Sequence, residues 1–253
     1  MEDGTRRDGL DAPKISRRTV GWLWPTLLLV GLAAAGMAAH IIEELSEGDT
    51  FRSDSAILLA LRRPGDLARP IGPAWVQQSA IDLSALGGFT LLWLFGLAGG
   101  GYLLLRRRRA EAGWLAASLV GASIFDTTLK SIFHRARPEV VPHLAVVSNA
   151  SFPSGHAMIS AAVYLSLGLM LAEADPRRLG RGYLMAFASL LVLLIGASRV
   201  YLGVHWPSDV VAGWCLGGVW ALLVFAANRA LRRWTGRRRS FRTAHGTSGA
   251  HAG

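Results

Sequence analysis

Residues 151–172, SFPSGHAMISAAVYLSLGLMLA, place Pro153, Ser154, Gly155 and His156 directly before a long apolar segment. A helix that enters a lipid or protein interior rarely requires an imidazole and a glycine in its first turn. One interpretation is a loop followed by a helix that Ser154 caps, with His156 incidental. The other is that this helix start binds an anion, because its backbone N–H groups are unpaired and lie at the positive end of the helix dipole. The rest of the sequence decides between them.

The composition indicates a membrane protein. The 253-residue chain is 51% hydrophobic, and its mean hydropathy of +0.34 is higher than is usual for a soluble domain. Six apolar segments are long enough to be candidate spans: Val20–Ile42, Leu83–Leu105, Gly113–Phe133, His156–Ala172, Gly182–Val200 and Ser208–Ala227. We therefore predict an all-α fold, a polytopic membrane bundle of six transmembrane helices, with no internal repeat.

The predicted organisation has three parts. A basic segment, 1–19, precedes the six-span domain, 20–228, and a basic tail, 229–253, which we expect to be disordered, follows it. The longest connection, 43–80, contains two stretches typical of short amphipathic helices, and we expect these to lie at the outer membrane interface. We interpret its basic residues as a solvated surface balanced by acidic neighbours: Arg52, Arg62, Arg63 and Arg69.

The placement of the basic residues predicts the orientation. The chain has 27 Lys and Arg residues and a net charge of +10, and 19 of the 27 lie before span one, after spans two and four, and after span six. By the positive-inside rule, both termini are cytoplasmic in the cell (inner) membrane. Basic runs beside spans are the expected topology signal, so we expect membrane lipids rather than nucleic acid as partners.

Of the eight remaining cations, four cluster near the outer ends of spans three and five: Lys130, Arg135, Arg137 and Arg199. Lys130 and Arg137 are seven residues apart, close to two helical turns, which predicts that they share one helical face. Two cations on one face suit a phosphate group. Asp126 lies one turn before Lys130, and we favour an ion-pair partner over a catalytic role for it.

The stretch 198–210, SRVYLGVHWPSDV, places His205 in a short loop and Asp209 four residues later. Asp209 is near enough to accept a hydrogen bond from one imidazole nitrogen, which would leave the other nitrogen nucleophilic. The alternative is a capping aspartate beside an interfacial histidine. The predicted spans bring this loop to the same membrane face as the start of the fourth span. There Gly155 allows an oxyanion to approach the backbone, and His156 can give a proton to a leaving oxygen.

Together these segments resemble the type 2 phosphatidic acid phosphatase superfamily. Its motifs KxxxxxxRP, PSGH and SRxxxxxHxxxD stand complete at Lys130–Pro138, Pro153–His156 and Ser198–Asp209, within a core of residues 113–227. The resemblance implies that His205 attacks phosphorus to form a phosphohistidine, that Asp209 orients it, and that His156 protonates the departing oxygen and then activates water. The implied phosphate-binding residues are Lys130, Arg137, Ser154, Gly155 and Arg199. The resemblance implies no metal or other cofactor, and the convergent cations would repel a metal ion.

The predicted function is therefore metal-independent hydrolysis of a lipid phosphate or diphosphate on the extracytoplasmic side. Undecaprenyl diphosphate, phosphatidic acid and phosphatidylglycerol phosphate fit equally well by chemistry, and family analogy favours an isoprenyl diphosphate. A lipid phosphotransferase would use the same residues. A vanadium haloperoxidase shares the anion pocket but not the spans, and a non-catalytic lipid-binding or transport protein predicts the loss of His156 or His205. The sequence does not indicate an oligomeric state.

Overall fold

The computed structural model describes residues 23–47, 52–147 and 149–246. The elements in chain order are α1 (Leu23–Ser46), α2 (Arg52–Ala60), β1 (Arg62–Arg63), β2 (Asp66–Pro70), α3 (Ala74–Leu86), α4 (Phe89–Leu105), α5 (Arg109–Phe133), α6 (Gly155–Ala174), α7 (Arg178–Tyr201) and α8 (Pro207–Gly246). The predicted basic segment 1–19 lies outside the described residues. The all-α prediction is confirmed, with one small β-hairpin added.

Five of the described helices are long and apolar enough to cross a membrane: Pro25–Ser46, Arg109–Phe133, Gly155–Ala174, Arg178–Tyr201 and Pro207–Thr235. The sixth candidate is α3 together with α4, a pair bent by 46°. The predicted span Leu83–Leu105 therefore falls across two helices, because the helix breaks at Gly87 and Gly88. Gly87 packs against Ile195 of α7 and the backbone of His156, so a side chain at this position would collide with α7.

The hairpin lies between α2 and α3, in the connection where the sequence predicts only amphipathic helices. Arg63 pairs with Asp66, and Pro64 and Gly65 occupy the two central positions of the turn. Gly65 has φ of 84°, and proline followed by a residue of positive φ is the signature of a type II turn. The helix therefore ends at Ala60, because the sequence that follows it favours a turn.

The prediction that the basic residues of this connection form a solvated surface is wrong for Arg62. Its residue exposure is only 3%, and its Nη1 donates to the carbonyl of Tyr201 at 3.0 Å. Burial lowers the pKa of this guanidinium below its ordinary value. Arg62 thus fastens the hairpin to the end of α7, just ahead of the loop that carries His205.

Helix α6 occupies the centre of the bundle and packs against α5, α7 and α8. Gly213 and Gly217 of α8 face its backbone, where a side chain would meet the carbonyls of Ser154 and Met158. Small residues four apart allow two membrane helices to approach closely. This packing sets the starts of α6 and α8 side by side at one end of the bundle, with the ends of α5 and α7.

Helix α8 is longer than predicted, since it continues to Gly246. Residues 229–246 of the predicted basic tail belong to α8, and 247–253 lie outside the described residues. Arginine is a good helix former, no proline interrupts the segment, and adding residues to an existing helix avoids the cost of nucleation.

Candidate active site

The first part of the site is built at the end of α5 and the start of α6. Lys130 Nζ donates to Asp126 Oδ2 at 2.8 Å, which confirms the ion-pair interpretation of Asp126. Gly155 packs directly against this pair, because a Cβ atom there would lie only 2.8 Å from Lys130 Nζ and 3.0 Å from Asp126 Oδ2. Glycine at 155 therefore lets the amino end of α6 approach the lysine.

Arg137 reaches the site from an irregular segment rather than from a helix. Helix α5 ends at Phe133, and His134 adopts a left-handed conformation with φ of 44°. The prediction that Lys130 and Arg137 share one helical face is therefore wrong. The chain leaves the helix in a direction that lets Arg137 bind backbone carbonyls, with Nη1 donating to Val204 at 2.6 Å.

The protonation of His205 follows from its neighbours. Its Nε2 lies 3.2 Å from Arg137 Nη1, and because a guanidinium can only donate, Nε2 accepts. The ring proton is therefore on Nδ1, which lies 3.5 Å from Ser151 Oγ and 3.6 Å from Asp209 Oδ2. Burial lowers the pKa of His205 to about 4, although Asp209 partly offsets this effect and Arg137 and Arg199 add to it. The imidazole is thus neutral at neutral pH.

Asp209 combines the two roles that the sequence left open. Its Oδ2 accepts hydrogen bonds from Ser151 Oγ and, at 3.0 Å, from the backbone N–H of Trp206, just before α8 begins. The carboxylate at the third position of the helix therefore caps its start, as in one half of a capping box. The same oxygen faces His205 Nδ1, so the cap also holds the histidine in one orientation.

A buried ionic network supports Asp209 from behind. Arg135 Nη1 donates to Asp209 Oδ1 at 2.6 Å, and Nη2 donates to Asp54 Oδ2 at 3.1 Å. Asp54, on α2, also accepts the backbone N–H of Ser208 at 2.9 Å and its hydroxyl. The guanidinium lies 5.4 Å from the centre of the Trp206 ring. One arginine is thus paired with both carboxylates.

Arg199 and Ser154 present buried polar atoms to the site. Arg199 Nη1 donates to Ser84 Oγ at 2.6 Å, but Arg199 Nε and Ser154 Oγ have no hydrogen-bond partner among the described residues. Ser154 makes no side-chain cap for α6, which contradicts the capping interpretation of PSGH. Buried groups without partners are rare in proteins and indicate a bound ligand or water.

His156 lies where the three motif segments meet. It interacts electrostatically with Arg199, His205, Lys130 and Arg137. All eight predicted site residues are therefore at one end of the bundle. Sequence reasoning missed the side chains that position them: Asp54, Ser84, Arg135, Ser151 and Ser208. Of these, only Arg135 stood out, as a member of the cation cluster.

The chain is similar to several known proteins. The chain matches the family model of the PAP2 superfamily over residues 111–233. It is 32% identical to phosphatidylglycerophosphatase B of Bacillus subtilis (strain 168), covering 63% of this chain and 78% of the relative. It is 34% identical to a lipid A 1-phosphatase of Rhizobium johnstonii, covering 69% and 82%. The crystal structure of a transmembrane PAP2 type phosphatidylglycerolphosphate phosphatase from Bacillus subtilis is similar, with a TM-score of 0.67 at 25% identity, covering 81% of this chain and 96% of that one.

Proposed function

This chain belongs to the PAP2 superfamily, and from that premise we propose that it hydrolyses a lipid phosphate or diphosphate in the membrane through a phosphohistidine on His205. The observation that carries the proposal is the tautomer of His205. Its Nε2 holds a lone pair beside Arg137, while its protonated Nδ1 faces Asp209. A nucleophilic histidine requires this arrangement, since the positive charge that forms on the ring during attack is stabilised by the carboxylate.

Substrate binding would release the nucleophile. The phosphate oxygens would replace Nε2 as acceptors for Arg137, which frees the lone pair to attack phosphorus. Arg199 Nε and Ser154 Oγ, which lack partners among the described residues, would donate to the equatorial oxygens together with Lys130. Donors fixed in advance around the developing charge are the strongest source of transition-state stabilisation in such sites.

His156 would act as the proton carrier. The cations around it would be offset by the bound phosphate dianion, so that His156 can carry a proton in the substrate complex. It would give this proton to the ester oxygen as the P–O bond breaks and later take one from the water that attacks the phosphohistidine. The cationic site has no need of a metal for charge neutralisation. Activity should therefore survive EDTA, and orthovanadate should inhibit as a trigonal-bipyramidal phosphate mimic.

The nucleophile is tested by comparing His205→Ala with His40→Ala in a phosphate-release assay on the purified protein. His40 is an exposed histidine of α1, so its loss should leave activity unchanged, whereas His205→Ala should abolish it. More than a few per cent of residual activity in His205→Ala would overturn the mechanism. With a substrate that has a good leaving group, His156→Ala should accumulate phosphate on His205, which peptide mass spectrometry can detect.

The same assay with a panel of lipid phosphates identifies the substrate. Phosphatidylglycerol phosphate and lipid A 1-phosphate are suggested by the names of the relatives, and an isoprenyl diphosphate by family analogy. A lipid phosphotransferase would share every catalytic residue, and it would be recognised by a phosphorylated lipid acceptor instead of free phosphate.

We further propose that the active-site end faces the extracytoplasmic side, as the distribution of basic residues predicts. Val146, next to the site, is fully exposed, and Leu179 at the opposite end is 87% exposed. In a Cys215→Ala background, a cysteine at Val146 should react with a membrane-impermeant maleimide in intact cells, and one at Leu179 only after lysis. Gly180 is unsuitable, because a side chain there would collide with Asp175. The reverse labelling pattern would place the site on the cytoplasmic side.

A further inference from the structure

A cavity of about 830 Å³ lies at the end of the bundle opposite the active site. It is formed by Leu27 of α1, the first turns of α5 and α7, the last turns of α6 and the middle of α8. Along α5, Glu111 in the cavity and Lys130 in the active site are separated by about 29 Å. The volume is in the range of sites that hold small molecules, and nothing in the proposed phosphatase mechanism uses it.

The rim of the cavity is positively charged. It carries five arginines and two glutamates: Arg108, Arg178, Arg181, Arg229, Arg232, Glu111 and Glu173. Glu111 is shared by Arg108 at 2.9 Å and Arg232 at 3.3 Å, and Glu173 pairs with Arg229 at 3.4 Å. The side chains of Arg178 and Arg181 make no ion pair or hydrogen bond in the described part of the chain. Two arginines therefore remain available for an anion.

The floor of the cavity is apolar and contains one unsatisfied donor. Trp114 lies about 8 Å deeper along α5 than the first helical residue, Arg109. It packs against Phe225 with ring centres 5.5 Å apart, and its indole N–H is buried without an acceptor among the described residues. A buried indole N–H normally finds a partner. A ligand with an acceptor at this depth would supply it.

The same layering recurs on α6, α7 and α8. Glu173 lies one turn from Leu169 on α6, Arg181 one turn from Met185 on α7, and Arg229 one turn from Phe225 on α8. In each case the charged residue is nearer the end of the membrane-crossing segment. This is the order of groups in a glycerophospholipid, where the phosphate lies outermost, the ester carbonyls come next and the acyl chains lie deepest.

We propose that this cavity binds one anionic glycerophospholipid from the leaflet at that end of the bundle, separately from the catalytic site. The phosphate contacts Arg178 and Arg181, an ester carbonyl accepts the Trp114 N–H, and the acyl chains lie against the apolar floor. The net positive rim selects an anionic over a zwitterionic headgroup. The apolar floor selects a lipid over free phosphate.

Two variants test the proposal by native mass spectrometry in detergent, with phosphatidylglycerol and phosphatidylcholine as probes. Arg178→Gln/Arg181→Gln should weaken phosphatidylglycerol binding about ten-fold or more, because charge-assisted hydrogen bonds are lost, and phosphatidylcholine binding should hardly change. Gly182 lines the cavity, and a Cβ atom there meets nothing within 4 Å. Gly182→Leu should therefore fill the cavity and exclude both lipids.

Each variant has a matched control. Arg106→Gln/Arg109→Gln removes the same charge at the same end, from exposed residues that do not line the cavity. Gly113→Leu makes the same substitution where a Cβ atom also meets nothing within 4 Å. Both controls should bind phosphatidylglycerol like the wild type, and phosphatase activity in all variants should confirm folding. If Gly182→Leu fails to fold, the proposal is tested by comparing Arg178→Gln/Arg181→Gln with Arg106→Gln/Arg109→Gln.

Several results would overturn the proposal. They are equal binding of the two lipids to the wild type, equal weakening by the two arginine pairs, undiminished binding in an active Gly182→Leu protein, and displacement of the lipid by inorganic phosphate. The proposed phosphatase activity does not depend on the outcome. His205→Ala should bind phosphatidylglycerol in this cavity as the wild type does.

Discussion

Replacing Asp54 by asparagine should destabilise the protein and its active site, although residue 54 lies outside all three sequence motifs. Asp54 accepts three hydrogen bonds, two from Ser208 and one from Arg135, and its side chain is only 3% exposed. An asparagine keeps one acceptor oxygen and places an NH2 group against a donor. One charge-assisted bond is lost and one buried donor is left unsatisfied, which together cost about 3–5 kcal/mol.

The loss of free energy can be measured by denaturant titration in detergent micelles, followed by circular dichroism. Asp66→Asn is the matched control, because Asp66 lies in the same connection and pairs with Arg69 at 3.2 Å, but its side chain is 47% exposed. An exposed ion pair contributes about 0–1 kcal/mol, so this variant should remain close to the wild type.

Activity gives a second measurement of the same network. Without Asp54, Arg135 loses one of the two carboxylates that fix it, and Asp209 loses part of its support. Since Asp54 does not contact the proposed phosphate site, kcat should fall while KM changes little. Similar stabilities of Asp54→Asn and Asp66→Asn, or an unchanged kcat in Asp54→Asn, would refute the reasoning.

Three further predictions concern the site itself. Gly155→Ala should lower kcat/KM about a hundred-fold in steady-state assays, because the new Cβ atom displaces Lys130 Nζ, 2.8 Å away; activity close to wild type would show that Lys130 is not placed as described. Ser84→Ala removes the 2.6 Å acceptor of Arg199 and should reduce kcat/KM by about ten-fold or more, whereas an unchanged value would make this contact dispensable. Burial lowers the pKa of His205 from 6.5 to about 4, so between these pH values the unfolded chain binds a proton that the folded protein does not. The free energy of unfolding should therefore fall by about 3 kcal/mol as the pH drops through this range, and His205→Gln should lose that part of the slope; an equal slope in the variant would contradict the assignment.

The sequence predicts the residues of the site better than the side chains that position them. Ser154, Gly155 and His156 are adjacent, and His205 and Asp209 are one helical turn apart, so local spacing is enough to group them. The supports come from distant segments: Asp54 and Ser208 are 154 positions apart, and Ser84 and Arg199 are 115 apart. Such contacts depend on how the helices pack, which spacing along the chain does not reveal.

The errors in the sequence predictions have local causes. The spacing of Lys130 and Arg137 predicts one helix. Arg137 instead lies in an irregular segment, where its guanidinium donates to the backbone carbonyls of Asn149 and Val204. Hydropathy alone makes Leu83–Leu105 one span, although Gly87 and Gly88 mark the position where it bends. The last predicted span ends at Ala227, whereas α8 continues to Gly246.

The anchoring of Arg135 by Asp54 and of Arg199 by Ser84 also determines how much of the chain forms an autonomous catalytic unit. All three motifs lie within residues 111–233, the segment that matches the family model, so this segment looks sufficient for catalysis. An excised fragment with these boundaries would keep every proposed catalytic residue and yet leave two buried arginines without their acceptors from the amino-terminal third. Under the proposed mechanism catalysis is a property of the assembled chain, and a transplanted core would need replacements for Asp54 and Ser84 before its motifs could act.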